Sequence, residues 1–133
     1  MTSLDLLKYA EEKGIYVEYS KLESSGSCSV CISNDLYVIG LDEREMTEAE
    51  KRVRLAHEIG HCETGAFYNM YSPIDSRKKD EYTANEWAVK KLLPKKELSS
   101  AFKRGLTEVW QLAEEFSVTE DLVRLACRVY FNR

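Results

Sequence analysis

The sequence predicts an α+β fold: one short helix, a small antiparallel sheet of three strands, then helices to the end of the chain. Three observations carry the prediction. Three short apolar runs rich in β-branched and aromatic residues fall between Ile15 and Leu41. Beyond Leu41 the chain is punctuated by helix-capping patterns rather than hairpin turns. Its 133 residues, 44% hydrophobic and 32% charged, suit one domain with a modest core rather than a disordered chain.

Thr2, with Asp5 three residues on, is a start signal for a first helix bearing Leu4, Leu7 and Ala10, and Gly14 stops it. Ile15 to Tyr19 (IYVEY) reads as a strand, and Ser24-Ser25-Gly26-Ser27 as a loop. Cys28 to Ile32 and Leu36 to Leu41, joined through Ser33-Asn34-Asp35, predict a β-hairpin. Thr47 and Glu50 form a capping box that opens a helix running to about Gly65. A looser stretch, AFYNMYSPIDS, covers Ala66 to Ser76. A second strong helix spans about Lys79 to Leu93, stopped by Pro94, and a short one runs from about Glu97 to Lys103, ending at Gly105. Thr107 and Thr119 open two last helices, separated by Ser117-Val118. This terminal pair, 107–133, has the look of a helix-turn-helix and is expected to pack on the rest of a single domain, 1–133.

Composition narrows the function classes. No apolar run approaches the roughly 20 residues of a membrane span. The first twenty residues carry a charge every few positions, unlike a signal peptide, so a cytoplasmic protein with four reduced cysteines is expected. The net charge of −4 is unevenly spread: residues 1–50 hold 4 basic and 11 acidic side chains, whereas 51–105 hold 12 basic and 7 acidic. A basic middle between acidic ends could attract an acidic partner surface. It is too weakly basic to demand nucleic acid, and no nucleic-acid or membrane partner is expected; charge is silent on oligomeric state.

The chemistry lies in His57-Glu58-Ile59-Gly60-His61, an H-E-x-x-H motif inside the Thr47 helix. Residues four apart share a helical face with Cβ atoms about 6 Å apart, so both imidazoles can bind one metal ion. Glu58 stands about 100° further round the helix, beside the metal, where it can take a proton from a water on the ion. Both histidines of the chain lie in this motif. Gly60 weakens a helix by about 1 kcal/mol relative to alanine, which predicts close packing against a neighbouring backbone at that turn.

Catalytic zinc takes three protein ligands, and with no third histidine the last must be Asp, Glu or Cys. Glu81, twenty residues after His61, opens the next strong helix and is the leading choice, with Asp80 and Glu86 behind it. Asn85, one turn beyond Glu81, could hydrogen-bond a ligand histidine. The cysteine pair Cys28-x-x-Cys31 makes no metal site, because residues three apart on a strand face opposite ways and no second pair completes it.

These residues resemble the ImmA/IrrE family of bacterial and phage zinc metallopeptidases. The family pattern is H-E-x-G-H followed by E-x-x-A-N-x-F-A-x-x-L-L-x-P. His57, Glu58, Gly60 and His61 match its first part; Glu81, Ala84, Asn85, Ala88, Leu92 and Pro94 match its second, with Trp87 as the aromatic. Lys91 departs from it, standing where a leucine is usual, and Thr83 stands where a second glutamate is common. The resemblance covers nearly the whole chain and implies a zincin-like domain with a gluzincin site. Zinc would be held by His57, His61 and Glu81, with Glu58 as general base. It further implies a substrate protein, the helix-turn-helix repressor of a prophage or mobile element.

An oxyanion must also be stabilised, and Tyr68, Tyr71, Tyr82 and Arg77, between or beside the two motifs, are the available groups. Arg77-Lys78-Lys79 reads as a solvated loop before a helix, or as a rim that grips an acidic stretch of a protein substrate. Two rival functions stand beside the peptidase. One is a non-catalytic regulator that binds its repressor without cutting it. The other is direct DNA binding by the terminal pair, which Glu120 and Asp121 at the start of its recognition helix argue against.

Overall fold

The computed structural model describes residues 2–20, 28–33, 36–42, 46–67 and 72–131. Helix α1 (Ser3–Glu12) is closed by the reciprocal cap expected of Thr2 and Asp5: the threonine hydroxyl accepts from the Asp5 amide at 3.1 Å, and the Asp5 carboxylate accepts from the Thr2 amide at 2.9 Å. Its core face is set by Leu6 and Ala10, one turn apart and fully buried, while Leu4 is 60% exposed. The apolar stripe therefore runs through Leu6, not Leu4.

Strands β1 (Ile15–Ser20), β2 (Cys28–Ser33) and β3 (Leu36–Asp42) form one sheet in the order β1-β3-β2. The expected hairpin is present, β2 running antiparallel to β3 with Cys28 opposite Gly40 and a register shift between Cys31 and Ser33. The expected all-antiparallel sheet is not. β1 lies parallel to β3, from Ile15 opposite Tyr37 to Ser20 opposite Asp42. Because the hairpin occupies one edge of β3, β1 takes the other edge, and the chain crosses to the far side of β3 to enter β2. Ile15, Ile39 and Leu41 are buried, and the sheet packs against α1 and the next helix.

That helix, α2 (Glu48–Thr64), begins at the Thr47–Glu50 capping box and ends where Gly65 adopts a left-handed conformation, φ 69°. Leu55, Ala56, Ile59 and Cys62 enter the core. The following helix, α3 (Ile74–Leu92), starts earlier than the expected Lys79. Pro73 stands at its entrance, and the Arg77 amide donates to the Pro73 carbonyl at 3.0 Å, closing a first turn that carries Asp75. Arg77, Lys78 and Lys79 are therefore on a helix, not in a loop. The Lys91 departure is accommodated at the surface, its ammonium lying 4.1 Å from the Tyr9 ring centroid.

Helices α2 and α3 are in close contact through Gly60. A Cβ at that position would stand 2.7 Å from the Ala84 carbonyl oxygen and 3.2 Å from the Ala84 Cα, so the expected tight approach is realised. Gly60→Ala gains about 1 kcal/mol in helix propensity, but overpacking against an unyielding backbone costs about 1–3 kcal/mol. A contact of 2.7 Å with a backbone atom puts the cost in the upper part of that range, so we expect a net loss of about 1–2 kcal/mol, read as a lower midpoint in thermal denaturation. An unchanged or raised midpoint would mean that the two helices part freely.

Helices α4 (Lys95–Lys103), α5 (Val109–Phe116) and α6 (Glu120–Phe131) complete the described residues. α5 is capped by Gln111, whose side chain accepts from the Thr107 and Glu108 amides at 3.2 and 3.1 Å; α6 opens with Thr119 accepting from Leu122 at 3.3 Å. The terminal pair packs inward. α6 lies on α3, and the Tyr130 hydroxyl donates to the Leu93 carbonyl at 2.8 Å. Arg52 of α2, buried, donates to the Phe116 carbonyl at 2.6 Å and to that of Ser117, tying the end of α5 to the motif-bearing helix. Arg124 is paired within α6 to Glu120 and Asp121, at 3.3 and 3.2 Å. Among the described residues no helix is long and apolar enough to cross a membrane.

Candidate metal centre

His57 and His61 project from one face of α2 and meet Glu81, which α3 carries past them. His57 Nε2 and His61 Nε2 are 3.2 Å apart. Glu81 spans both, one carboxylate oxygen 3.1 Å from His57 Nε2 and the other 2.9 Å from His61 Nε2. The Gly60–Ala84 contact is what permits this, since any wider spacing of the helices would withdraw Glu81 from the pair.

The outward nitrogens are engaged. His57 Nδ1 meets Asn85 Oδ1 at 2.6 Å, the partnership expected of Asn85. His61 Nδ1 meets the Ala66 carbonyl, and the Phe67 ring stacks over His61 with centroids 6.2 Å apart. These two contacts escaped sequence reasoning. The turn at Gly65 produces them by folding the chain back over the last turn of α2, so a glycine stop four residues after a ligand histidine was the available signal.

In the neutral state each Nδ1–H donates outward, which leaves both Nε2 lone pairs converging on two carboxylate oxygens. Two such nitrogens 3.2 Å apart, each with a carboxylate oxygen of Glu81 about 3 Å away, repel unless a cation lies among them. The three ligand groups all lie within 4.8 Å of one another. For bonds of about 2.0–2.1 Å, tetrahedral geometry puts ligand atoms about 3.3 Å apart, close to the separations found. The residues present fit a small divalent ion. Among the described residues this is the one group of three or more His, Cys, Asp or Glu side chains arranged to hold a metal.

Charge follows the same geometry. Hydrogen bonds from His57 and then His61 hold the Glu81 carboxyl far below its usual range. Burial pulls the His61 imidazole down, but the Glu81 and Ala66 hydrogen bonds and the charges of Glu58 and Glu81 outweigh it, leaving His61 raised. Glu58, 5% exposed, is pushed up by burial, with His57 and His61 opposing. Its Oε2 is buried and has no hydrogen-bond partner among the described residues. That orphaned oxygen beside a three-ligand cluster marks a place for a guest.

The other expected residues separate. Asp80 and Glu86 are not in the ligand group, and Glu86 instead lies 3.5 Å from Lys90. Arg77 and Tyr82 line an open groove on α3 that runs past Glu81 and Asn85. Tyr68 and Tyr71 lie outside the described residues.

The family model of the IrrE N-terminal-like domain, peptidase family M78, matches residues 10–128. The chain belongs to this family. The match takes in α2 and α3 whole, so both halves of the IrrE-like site, and the terminal pair down to Arg128, fall inside it. No curated protein and no solved structure matches the chain. In this M78 domain Asn85 orients His57, and Asn85→Ala is expected to weaken metal binding by about 10–100-fold. Competition with a chromophoric chelator would measure it; unchanged affinity would mean that the hydrogen bond does not orient the ligand.

Proposed function

We propose that this M78-family chain is a zinc-dependent endopeptidase of gluzincin type that hydrolyses a peptide bond in a partner protein, a helix-turn-helix repressor of a prophage or mobile element, in the cytoplasm. The observation that carries the proposal is the convergence of His57, His61 and Glu81 beside the orphaned carboxylate oxygen of Glu58. His57, His61 and Glu81 would hold the ion. When bound, zinc supplies Lewis acidity to a water molecule and to the scissile carbonyl.

The chain's own residues do the rest. Asn85 and the Ala66 carbonyl hold the two imidazoles so that both present Nε2. Glu58 accepts the attacking water's proton on its free Oε2 and passes it to the leaving amine. The choice of a repressor rests on the resemblance to ImmA/IrrE proteins and on the family match. A protein rather than DNA partner is supported by the acidic opening of α6, where Arg124 is already neutralised by Glu120 and Asp121.

The test is metal content by elemental analysis, for wild type and His61→Ala after zinc loading and desalting, followed by incubation of the loaded protein with the repressor encoded beside it. About one zinc per wild-type chain, much less in the variant, and a chelator-sensitive repressor fragment are expected. An intact repressor at full zinc occupancy would end the endopeptidase reading and leave a regulator that acts by binding.

A further inference from the structure

We propose that the groove along α3 beside the metal centre is a specificity subsite for an acidic side chain of the peptide substrate, with Arg77 as its principal recognition group and Lys78 as support. This rests on the peptidase reading above and adds to it the chemical class of substrate.

The groove, about 520 Å³, is lined by Ile74, Arg77, Lys78, Glu81, Tyr82 and Asn85. All six come from α3 at spacings of three and four residues, so they are one helical face, and that face carries the metal-facing carboxylate. Arg77 sits one turn before Glu81. Its Nε is buried without a hydrogen-bond partner, and its side chain makes no hydrogen bond or ion pair among the described residues. Arg104 and Arg124, by contrast, are paired with Glu115 and with Glu120 and Asp121. Arg52, whose Nε is likewise unpartnered, still donates through Nη1 to the Phe116 and Ser117 carbonyls, whereas the Arg77 side chain has no such contact among the described residues.

A buried unsatisfied donor is costly, and a guanidinium is satisfied best by a carboxylate that accepts from two of its N–H groups at once. The acidic side chains on the same helix do not supply it: Asp75 and Asp80 form no ion pair with Arg77 or Lys78, and Glu81 is committed to the two histidines. A divalent ion at the centre would be offset by Glu81 and Glu58, so Arg77 and Lys78 leave the groove net positive. It would favour an acidic side chain and repel a basic one.

Distance places the acidic residue. Side chains one turn apart on a helix are about 6 Å apart. An extended peptide advances about 3.4 Å per residue, so the carboxylate belongs within about two residues of the scissile bond. Ile74, 61% exposed, and Tyr82, 50% exposed, give the groove apolar surface for the side chains flanking it.

The test uses zinc-loaded full chain carrying Glu58→Gln as a trap and a randomised library of N-acetylated, C-amidated octapeptides, with bound peptides identified by mass spectrometry. Folding of each variant is checked by zinc content and circular dichroism. Asp or Glu should be enriched about tenfold at one position. Adding Arg77→Ala should abolish that enrichment, Arg77→Lys should weaken it, and Arg77→Glu should replace it by Lys or Arg. No bound peptide, no acidic enrichment, or enrichment unchanged in Arg77→Ala would overturn the proposal. Digestion of the same library by wild type reports on catalysis separately. Acidic enrichment without cleavage keeps the subsite and removes the peptidase.

Discussion

Glu58→Gln is expected to lower the rate of peptide hydrolysis by about 10²–10⁴-fold while leaving close to one zinc per chain. Glutamine has the shape of glutamate and can still fill the space beside the ligands, but it cannot accept a proton at the working pH. The ligand set of His57, His61 and Glu81 is untouched, so metal content should not follow activity down. Stability should move the other way. In the metal-free protein Glu58 is a buried carboxylate raised by desolvation, with an oxygen that has no partner. Replacing it by a neutral amide removes the cost of burying charge, so the metal-free variant should melt no lower than wild type and a little higher. Repressor cleavage and thermal denaturation on one preparation measure both arms. Cleavage retained above about a tenth of the wild-type rate would show that another group accepts the proton.

The residues that build this centre were legible because their spacing is itself the geometry. A spacing of four between two histidines puts both on one helical face, and a capping box at Thr47 guarantees the helix. Gly60 was legible for a related reason: a residue poor for helices in mid-helix implies a neighbour too close for a side chain. Strand direction was not legible, since IYVEY has the same alternation whether it pairs parallel or antiparallel, and the β2–β3 hairpin fixes only which edge of β3 is left for β1. The start of α3 was hidden because the polar run at its beginning carries no helical stripe, and its first turn is closed at Pro73, whose carbonyl accepts from the Arg77 amide. Arg52 reads as one more surface charge on α2. Its burial depends on the carbonyls of Phe116 and Ser117, more than sixty residues away, which no local pattern encodes.

Zinc should stabilise the chain strongly at pH 7.5 and only weakly at pH 5.5, because protons and metal compete for one set of acceptors. In the metal-free protein His61 has a pKa above its ordinary 6.5, so its contribution is full below 6.5 and fades as pH rises through the raised value. Glu81 has a pKa below its ordinary 4.5, so its contribution is present above 4.5 and fades as pH falls through the lowered value. From about pH 4.5 to 6.5, then, a proton on His61 satisfies Glu81 and does the work of the missing ion. Zinc must displace that proton at pH 5.5 but not at alkaline pH. With zinc held at about a hundred times its dissociation constant at pH 7.5, the gain is about 2.7 kcal/mol, or about 10 °C in melting temperature for a chain of this length. The same zinc concentration at pH 5.5 should raise it by less than about a third of that. Glu81→Gln should remove most of the zinc shift at pH 7.5, since it takes away the one anionic ligand. Differential scanning fluorimetry with and without zinc at the two pH values measures this, and an equal shift at both would mean that zinc binds elsewhere on the chain.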